Sequence, residues 1–381
     1  MKTRSRSWLI SFVSLPGILL LISLLGCEQF GNPPSGSSLD TIKLSPNYHL
    51  EDRIFVNQSS GILRTMGDDL SLWSDPFGKK RPNFLFNKMQ SRPEKHLPEI
   101  TNSNLKEFQD SQKNIKFIWL GHSTILLSIN GKVVLIDPVF SKSASPVSFL
   151  AKRFQSPAIP LAKLPVIDYI LISHDHYDHL DMETIKHFVE QDVRFVVPLG
   201  VGSHLQHWGI YPHKIIELDW WQTEKTGSLV FTATPAQHYS GRLGPISPMK
   251  TLWASWVIKS PTRSVYFSGD SGYHSHYREI GQKHGPFDIV FMDSGQYNAR
   301  WKSVHNMPEE VVLGFKELKG EYLVPIHWAM FNLSLHNWYD PGIEITAIAR
   351  DKGVNLITPR LGQLVTTKKP VLFDEWWKEI K

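Results

Sequence analysis

Residues 174–179 set the strongest limit on how this chain can fold, because they read His-Asp-His-Tyr-Asp-His. The segment directly follows the run Tyr169-Ile170-Leu171-Ile172, which is typical of a buried strand. Neutral imidazole and carboxylate groups are the ligands that a borderline divalent ion such as Zn²⁺ accepts. A solvated polar loop would be expected to contain Lys, Ser or Gly, and this segment contains none of them. The pattern therefore predicts a metal-binding loop at the end of a strand.

Three further strand-like runs lead to a histidine or an aspartate, namely 229–233, 264–269 and 322–326. Functional side chains in layered α/β proteins gather where strands end, so these groups are expected to converge on one edge with the metal loop. The seven side chains of ligand type are His174, His176, Asp178, His179, His238, Asp270 and His327. They are too many for one tetrahedral zinc with an open position, and they suit two ions roughly 3.5–4 Å apart.

Short motifs extend this pattern to a known family. H-x-H-x-D-H, followed by a His, a Gly-Asp and a final His, each after a strand, resembles the metallo-β-lactamase superfamily. Within it, the chain is most similar to the N-acylphosphatidylethanolamine-hydrolysing phospholipase D family. The stretches that carry this likeness are 119–124, 136–141, 171–174, 217–221 (Glu-Leu-Asp-Trp-Trp), 234–238 (Thr-Pro-Ala-Gln-His), 269–273 and 325–328. The likeness covers residues 80–365 approximately and implies an α/β fold of the αββα four-layer sandwich type.

The resemblance also implies how the ligands are shared between two Zn²⁺ ions, with iron or manganese left open as the native metal. One ion would be held by three histidines, the other by an aspartate and two histidines, and one aspartate would bridge both. The three histidines of the first ion would be His174, His176 and His238. The ligands of the second ion would be Asp178, His179 and His327, and the bridging aspartate would be Asp270.

Three other residues matter in the family pattern. His305 stands where the family places a histidine near the substrate phosphate, the alternative being a surface-loop histidine. His122 and Asp137 belong to the opening strands and are expected to orient metal ligands or to pack behind them, since a metal-bound histidine usually donates its second N–H to such a partner.

The implied activity is hydrolysis of N-acylphosphatidylethanolamine to phosphatidic acid and an N-acylethanolamine. A hydroxide bridging two zinc ions would attack the phosphorus, because such ions lower the pKa of a bound water to about 7 and hold a phosphoryl oxygen. The catalytic groups would be Asp178, Asp270 and His305. Asp293 departs from the family pattern and is expected to repel an anionic phospholipid. The alternatives are a lactonase of the same superfamily, acting on a phosphosugar or acyl lactone, and a membrane-anchored lipoprotein that only binds a ligand.

The N-terminal residues predict export. Residues 1–26 contain three basic and no acidic groups, and 8–26 are uncharged, which is the pattern of a signal peptide, with an uncleaved anchor as the alternative. Leu24-Leu25-Gly26-Cys27 resembles the bacterial lipobox, and Cys27, the single cysteine, is the expected lipidation site. We therefore expect an exported bacterial lipoprotein, anchored on the periplasmic or cell-surface side, with a phospholipid or other phosphodiester as partner. Removal of the three basic residues lowers the formal charge from +5 to +2, and no basic run favours nucleic acid.

The remaining organisation follows from composition and motif positions. The predicted order is a signal peptide (1–26), a flexible Pro/Gly/Ser-rich tether (27–40), an N-terminal extension packed on the main domain (41–110), the catalytic domain (111–370) and a C-terminal tail (371–381). The number of subunits is left open.

Local patterns add a hairpin and three helices. A hairpin is predicted over 125–136 around Asn130-Gly131, because both residues tolerate the positive φ of a type I′ turn. Helices are predicted after Asp181, from Pro308, and over 343–352. Five other histidines are expected at the surface or in a lid: His204, His207, His213, His274 and His276.

Overall fold

The computed structural model describes residues 28–59, 89–110, 114–242 and 248–381. Within them, the strands are β1 (Tyr48–His49), β2 (Ile54–Phe55), β3 (Lys116–Trp119), β4 (Ile125–Ile129), β5 (Lys132–Ile136), β6 (Tyr169–Leu171), β7 (Arg194–Pro198), β8 (Ile215–Leu218), β9 (Thr223–Thr226), β10 (Leu229–Thr234), β11 (Ser255–Lys259), β12 (Ser264–Phe267), β13 (Phe287–Asp293), β14 (Gly320–Ile326) and β15 (Leu364–Thr366). The α-helices are α1 (Gly36–Ile42), α2 (Leu105–Gln109), α3 (Met182–His187), α4 (Gly202–His207), α5 (His276–Lys283), α6 (Pro308–Glu317) and α7 (Asp340–Asp351). Short 3₁₀ helices span Leu161–Lys163, Pro212–Lys214 and Trp376–Glu379.

Two large mixed sheets form the centre of the molecule. The first has the order β15-β3-β4-β5-β6-β7-β8, and the second has the order β14-β13-β12-β11-β10-β9. Strands β5 to β8 are parallel neighbours, as are β12 to β14. Strands β3 and β5 both pair antiparallel with β4 and so run in the same direction. Strands β10 and β12 both pair antiparallel with β11 and also run in the same direction. The C-terminal ends of β3, β5 and β6, and those of β10 and β12 to β14, therefore share one edge within each sheet.

Apolar side chains alternate between two cores along these strands. In β4, Ile125, Leu127 and Ile129 belong to the core between the sheets, whereas Leu126 packs in the core under the helices of the first sheet. Helices α2, α3 and α4 contribute to that outer core, and α5, α6 and α7 contribute to the corresponding core of the second sheet. Strands buried on both faces in this way require helices outside both sheets. The predicted αββα sandwich is confirmed.

Local predictions hold with small differences. Strands β4 and β5 pair through Ile129 and Lys132, and Asn130 and Gly131 both have positive φ, as the predicted turn requires. Helix α6 begins at Pro308 as expected, whereas α7 begins at Asp340 rather than at residue 343. Pro341 fits the first turn of α7, where a missing N–H costs no hydrogen bond.

Parts of the predicted flexible tether (27–40) contact the body of the molecule or form a helix. The indole N–H of Trp208 donates to the carbonyl of Glu28 at 2.8 Å, and the N–H of Asn32 donates to Nδ1 of His204 at 3.0 Å. Helix α1 occupies residues 36–42. Pro, Gly and Ser indicate only a weak local preference, and the partners that order this segment lie far away in sequence. We name residues 28–32 the N-terminal strap.

The predicted signal peptide and Cys27 lie outside the described residues. Among the residues that are described, no helix combines the length and the apolar character needed to cross a bilayer.

Candidate metal centre

The seven side chains of ligand type meet at the shared edge of the two sheets. The metal loop follows β6, His238 follows β10, Asp270 follows β12 and His327 follows β14. The N–H of His327 donates to the carbonyl of His122 at 3.0 Å, which joins the two sheets at this edge. Gly269 has φ +56°, and a Cβ there would lie 2.7 Å from Cβ of Ser173. Glycine is therefore needed for Asp270 to approach the metal loop.

The first cation position is formed by His174, His176 and His238. Nδ1 of His176 lies 2.9 Å from Nε2 of His174 and 3.2 Å from Nε2 of His238. Oδ2 of Asp270 lies 3.8 Å from Nε2 of His174 and 3.7 Å from Nε2 of His238. Three nitrogens and one carboxylate oxygen thus surround a common point.

The second cation position is formed by Asp178, His179 and His327. Oδ2 of Asp178 lies 3.4 Å from Nε2 of His179 and 3.1 Å from Nε2 of His327. Asp270 reaches this position as well, with Oδ1 3.1 Å from Nε2 of His179 and Oδ2 3.1 Å from Nε2 of His327. Nε2 of His122 lies 2.8 Å from Oδ2 of Asp178. The carboxylate of Asp270 is therefore shared between the two positions, and His122 lies against Asp178.

The donor set fits two divalent ions. A tetrahedral ion with metal–nitrogen bonds of 2.0–2.1 Å separates its ligand atoms by about 3.3 Å, and the separations at both positions range from 2.9 to 3.8 Å. Buried Nε2 of His179 and Oδ1 of Asp270 make no hydrogen bond within the described part of the chain. Buried polar atoms left in this way point to an ion as the missing partner. The residues form a binuclear His/Asp metal site, and they do not identify the metal.

Partners behind the rings fix how four of the histidines face the site. The pairs are Nδ1 of His174 with Oγ of Ser173 (2.9 Å), Nδ1 of His179 with Oδ2 of Asp137 (2.7 Å), Nδ1 of His238 with the carbonyl of Val304 (3.1 Å) and Nδ1 of His327 with Oδ1 of Asp293 (3.2 Å). Each acceptor holds a proton on Nδ1 and so leaves the lone pair of Nε2 for a cation. Asp137 thus lies where such an orienting residue is expected.

The two positions differ in the pKa values of their histidines. Burial lowers the pKa of His174 and of His238 well below the ordinary value, and neighbouring histidines add to the effect. Burial also opposes protonation of His179 and His327, but the carboxylate of Asp270 and its acidic neighbours outweigh it. They raise the pKa of His179 well above the ordinary value and that of His327 to about 10. Burial would raise the pKa of Asp270, but the nearby histidines hold it well below its usual range.

His305 lies at the edge of both positions. Its ring centroid is 5.2 Å from that of His238 and 5.0 Å from that of His327, and only 12% of its side chain is exposed. Its Nδ1 donates to Oδ2 of Asp293 at 2.8 Å. Asp293, which was expected to repel an anionic substrate, is fully buried, and its carboxylate lies against His305 and His327. Its role was missed because the strand position alone does not show which histidines it contacts.

Two histidines expected at the surface are buried. Nε2 of His204 lies 3.3 Å from Oδ2 of Asp175 in the metal loop, and its Nδ1 accepts from the N-terminal strap. His276 begins α5 with Nε2 3.2 Å from Oγ of Ser271, and burial lowers its pKa to about 3. His207 and His213 are exposed, as expected.

Arg242 holds the metal loop near both of its ends, a role that sequence reasoning missed. Its Nη1 donates to the carbonyl of Asp175 at 2.7 Å and to that of Leu180 at 2.8 Å. Its Nε and Nη2 donate to the carbonyl of Gln29 in the N-terminal strap, and its guanidinium lies 4.0 Å from the ring centre of Tyr177. No local sequence signal marks this residue, because its partners are more than 60 residues away.

Tyr239 was also missed. Its ring centroid is 4.7 Å from those of His176 and His238, and burial raises the pKa of its hydroxyl to about 12. The phenol therefore stays neutral beside the first cation position and keeps its proton for hydrogen bonding.

Comparisons with known proteins agree with this geometry. A protein-family model described as a β-lactamase superfamily domain matches residues 132–328. An uncharacterized protein of Mycobacterium tuberculosis is 36% identical over 370 residues, covering 95% of each chain. The N-acyl-phosphatidylethanolamine-hydrolyzing phospholipase D 1 of Caenorhabditis elegans is 32% identical over 272 residues, covering 67% of this chain and 76% of that protein. A metallo hydrolase from Ignicoccus hospitalis, Igni18, shares the fold with a TM-score of 0.52 and 20% identity, over 67% of this chain and 98% of that one. The chain therefore belongs to the metallo-β-lactamase superfamily, as a metal-dependent hydrolase with a His/Asp metal site.

Proposed function

We propose that this chain is a phosphodiesterase of the phospholipase D type, which cleaves N-acylphosphatidylethanolamine to phosphatidic acid and an N-acylethanolamine. The observation that carries the proposal is the position of His305 at the edge of two adjacent cation positions, in a chain similar to a nematode enzyme named for this reaction. A phosphodiester needs one group to polarise the phosphoryl oxygen and another to orient it, and this edge offers both.

The chain's own residues support each part of this reaction. Two divalent ions, when bound, would polarise the phosphoryl oxygen and lower the pKa of a water. Asp178 and Asp270 keep their charge at neutral pH, since histidine neighbours outweigh burial and hold both pKa values well below the usual range. Because Nδ1 of His305 donates to Asp293, its Nε2 is the nitrogen left to contact the phosphoryl group. The water oxygen bonds to phosphorus, the bond from phosphorus to the ethanolamine oxygen breaks, and that oxygen takes up a proton.

We also propose that the native ions are two zinc ions and that the chain is a lipoprotein anchored through Cys27. Histidine and carboxylate ligands in a tetrahedral spacing suit zinc, while iron or manganese accepts the same donors. Elemental analysis of the chain as isolated distinguishes these metals, and a chain free of metal after gentle purification would favour a binding lipoprotein instead. Mass spectrometry of the N-terminus shows whether Cys27 carries lipid.

A substrate panel tests the proposed reaction directly. The purified chain is incubated in ¹⁸O-water with N-acylphosphatidylethanolamine, phosphatidylcholine and a set of acyl and phosphosugar lactones, beside Asp270→Asn as the inactive control. We expect loss of the N-acylated lipid and ¹⁸O in the phosphatidic acid. Label in the N-acylethanolamine would exclude attack on phosphorus, and hydrolysis of lactones alone would establish the lactonase instead.

A further inference from the structure

A hairpin formed by residues 142–153 projects beside the metal centre. Its arms are joined by backbone hydrogen bonds from Ala144 N to Ala151 O and from Arg153 N to Lys142 O, both 3.0 Å long. A further bond from Leu150 N to the carbonyl of residue 147, at 2.9 Å, holds the turn. The hairpin is thus ordered by its own backbone.

The base of the hairpin is fixed to the wall of the second cation position. Arg153 is buried and donates from Nη1 to the carbonyl of Val139 at 2.8 Å. Its guanidinium lies 5.1 Å from the ring centre of Phe331, and that ring lies 5.1 Å from the ring of His122. Since His122 contacts Asp178, an unbroken series of contacts joins the hairpin base to the metal centre.

The tip of the same hairpin is apolar and open to solvent. Phe149 is 70% exposed and Leu150 is 51% exposed, and they are adjacent in sequence. Large apolar side chains held together on an ordered projection mark a surface for interaction. Lys142, also exposed, adds a positive charge near the base of the hairpin.

The hairpin lies beside the start of the N-terminal strap. A cavity of about 240 Å³ separates the hairpin from the body, with Ser145 and Ser148 on one side and Tyr177 and Gln29 among the other lining residues. Gln29 is two residues after Cys27, the residue at which a lipid anchor is proposed. The hairpin, the metal loop and the start of the strap therefore line one cavity, and Ser148 in that lining directly precedes the apolar tip.

We propose that Phe149 and Leu150 insert into the surface of a phospholipid bilayer beside the N-terminal strap and turn the metal centre toward the lipid. The occupant is a bilayer because the proposed lipid anchor at Cys27 lies two residues before Gln29 in the sequence, and an aromatic and an aliphatic side chain at a loop tip suit the interfacial region. Lys142 would lie among the phosphate groups of anionic lipids. The purpose of this orientation rests on the proposed phospholipid substrate, whereas the insertion itself does not.

Depth measurement on the full chain tests the insertion. Cys27→Ser removes the native thiol together with the proposed cleavage and lipidation site, so residues 8–26 stay on this variant as its anchor. Phe149→Cys can then carry a single fluorophore, with Val371→Cys, 60% exposed in the wild type, as the matched control. Both proteins are reconstituted in vesicles of phosphatidylcholine and phosphatidylglycerol, with or without lipids that bear a quencher on the acyl chain. We expect quenching at position 149 to exceed that at 371 at least about twofold, because an inserted side chain lies at the acyl boundary. Equal quenching at the two positions would overturn the proposal.

A second variant separates this inference from the proposed reaction. Phe149→Ser combined with Leu150→Ser should keep its metal content and its rate on a water-soluble phosphodiester, and lose about tenfold in rate on vesicle-borne N-acylphosphatidylethanolamine. An unchanged rate on vesicles would count against insertion. If the unsubstituted chain hydrolyses neither substrate, the proposed function fails, and the quenching measurement still decides the insertion.

Discussion

The two cation positions use the same kinds of ligand but are supported by different groups. Behind the first position, the orienting partners are neutral, namely the hydroxyl of Ser173 and the carbonyl of Val304. Behind the second position, they are the carboxylates of Asp137 and Asp293. Asp178, which is itself a carboxylate, belongs to the second position alone. The second position therefore carries more negative charge around its cation.

This difference in supporting groups should give the two positions different metal affinities and a different dependence on pH. Carboxylates behind imidazole rings make the ligands more basic, which strengthens metal binding and also strengthens competition from protons. At neutral pH without metal, the first position is a set of neutral lone pairs, whereas His179 and His327 hold protons that a cation must displace. The first position should thus accept an ion more readily in acid, and the second should hold its ion more tightly in base.

The largest effect is expected at the ligand that both positions share. Asp270→Ala removes the carboxylate that lies within 3.8 Å of ligand nitrogens at both positions. Activity should fall at least about 1000-fold, because each ion contributes several kcal/mol of charge stabilisation. Metal analysis should show loss at both positions. Retention of two tightly held ions per chain would mean that the positions do not depend on a common bridge.

Substitution of His305 should affect chemistry without affecting either ion. We expect His305→Ala to lower kcat by about 100-fold, as for loss of a group that contacts the reacting centre, with both ions retained. His305→Gln, which keeps a hydrogen-bond donor, should recover part of the rate. If metal content falls instead, His305 is part of the cation site rather than a contact for the substrate.

The effect of the carboxylate behind His179 on metal affinity can be compared with that of the hydroxyl behind His174. Asp137→Asn should weaken metal binding at the second position by about 10- to 100-fold, because it removes the charged partner of His179. Ser173→Ala removes the neutral partner of His174 and also a donor to Asp137, so it should weaken the first position by about fivefold and the second position by less. Competition with a chelator resolves two affinities in each variant. Equal losses at both positions in each variant would contradict the division drawn here.

Proton release should distinguish the two binding events in the unsubstituted chain. The raised pKa values of His179 and His327 mean that both are protonated below those values, so binding at the second position should release about two protons at neutral pH. Affinity there should rise with pH and be lost as pH falls. Binding at the first position should release almost none, since its histidines have lowered pKa values. Calorimetry in buffers of different ionisation enthalpy measures both numbers, and equal release would remove the electrostatic contrast.

The ligands were predictable because each follows a strand-like run, and strand ends of layered sheets meet at an edge. The support behind them was not predictable in the same way. Asp293 ends its strand like many acidic residues, and only the pairing of β13 with β14 brings it to His327. The strap shows the same limit. The Gly, Pro and Ser residues of 31–38 predict a tether, but the carbonyls of Glu28 and Gln29 in the strap accept hydrogen bonds from Trp208 and Arg242, which are about 180 to 210 residues away.

Substitution of Arg242 should have the smallest effect on metal affinity, and the effect should be the same at both cation positions. The reason is that Arg242 holds the loop that supplies ligands to both of them. Its guanidinium donates to Asp175 and Leu180, which flank the ligands His176, Asp178 and His179. Lysine cannot form this fork, so Arg242→Lys should loosen the whole loop and weaken both affinities by the same factor, about threefold to tenfold.

Arg194→Lys is the matched control, since this arginine is exposed on β7 and should leave both affinities unchanged. The two affinities are measured by chelator competition, with the melting temperature as a check on folding. A variant that weakens one position alone would show that the loop is not held as a unit. The difference between the two cation positions would then depend on how each end of the metal loop is held, as well as on the groups behind the histidine rings.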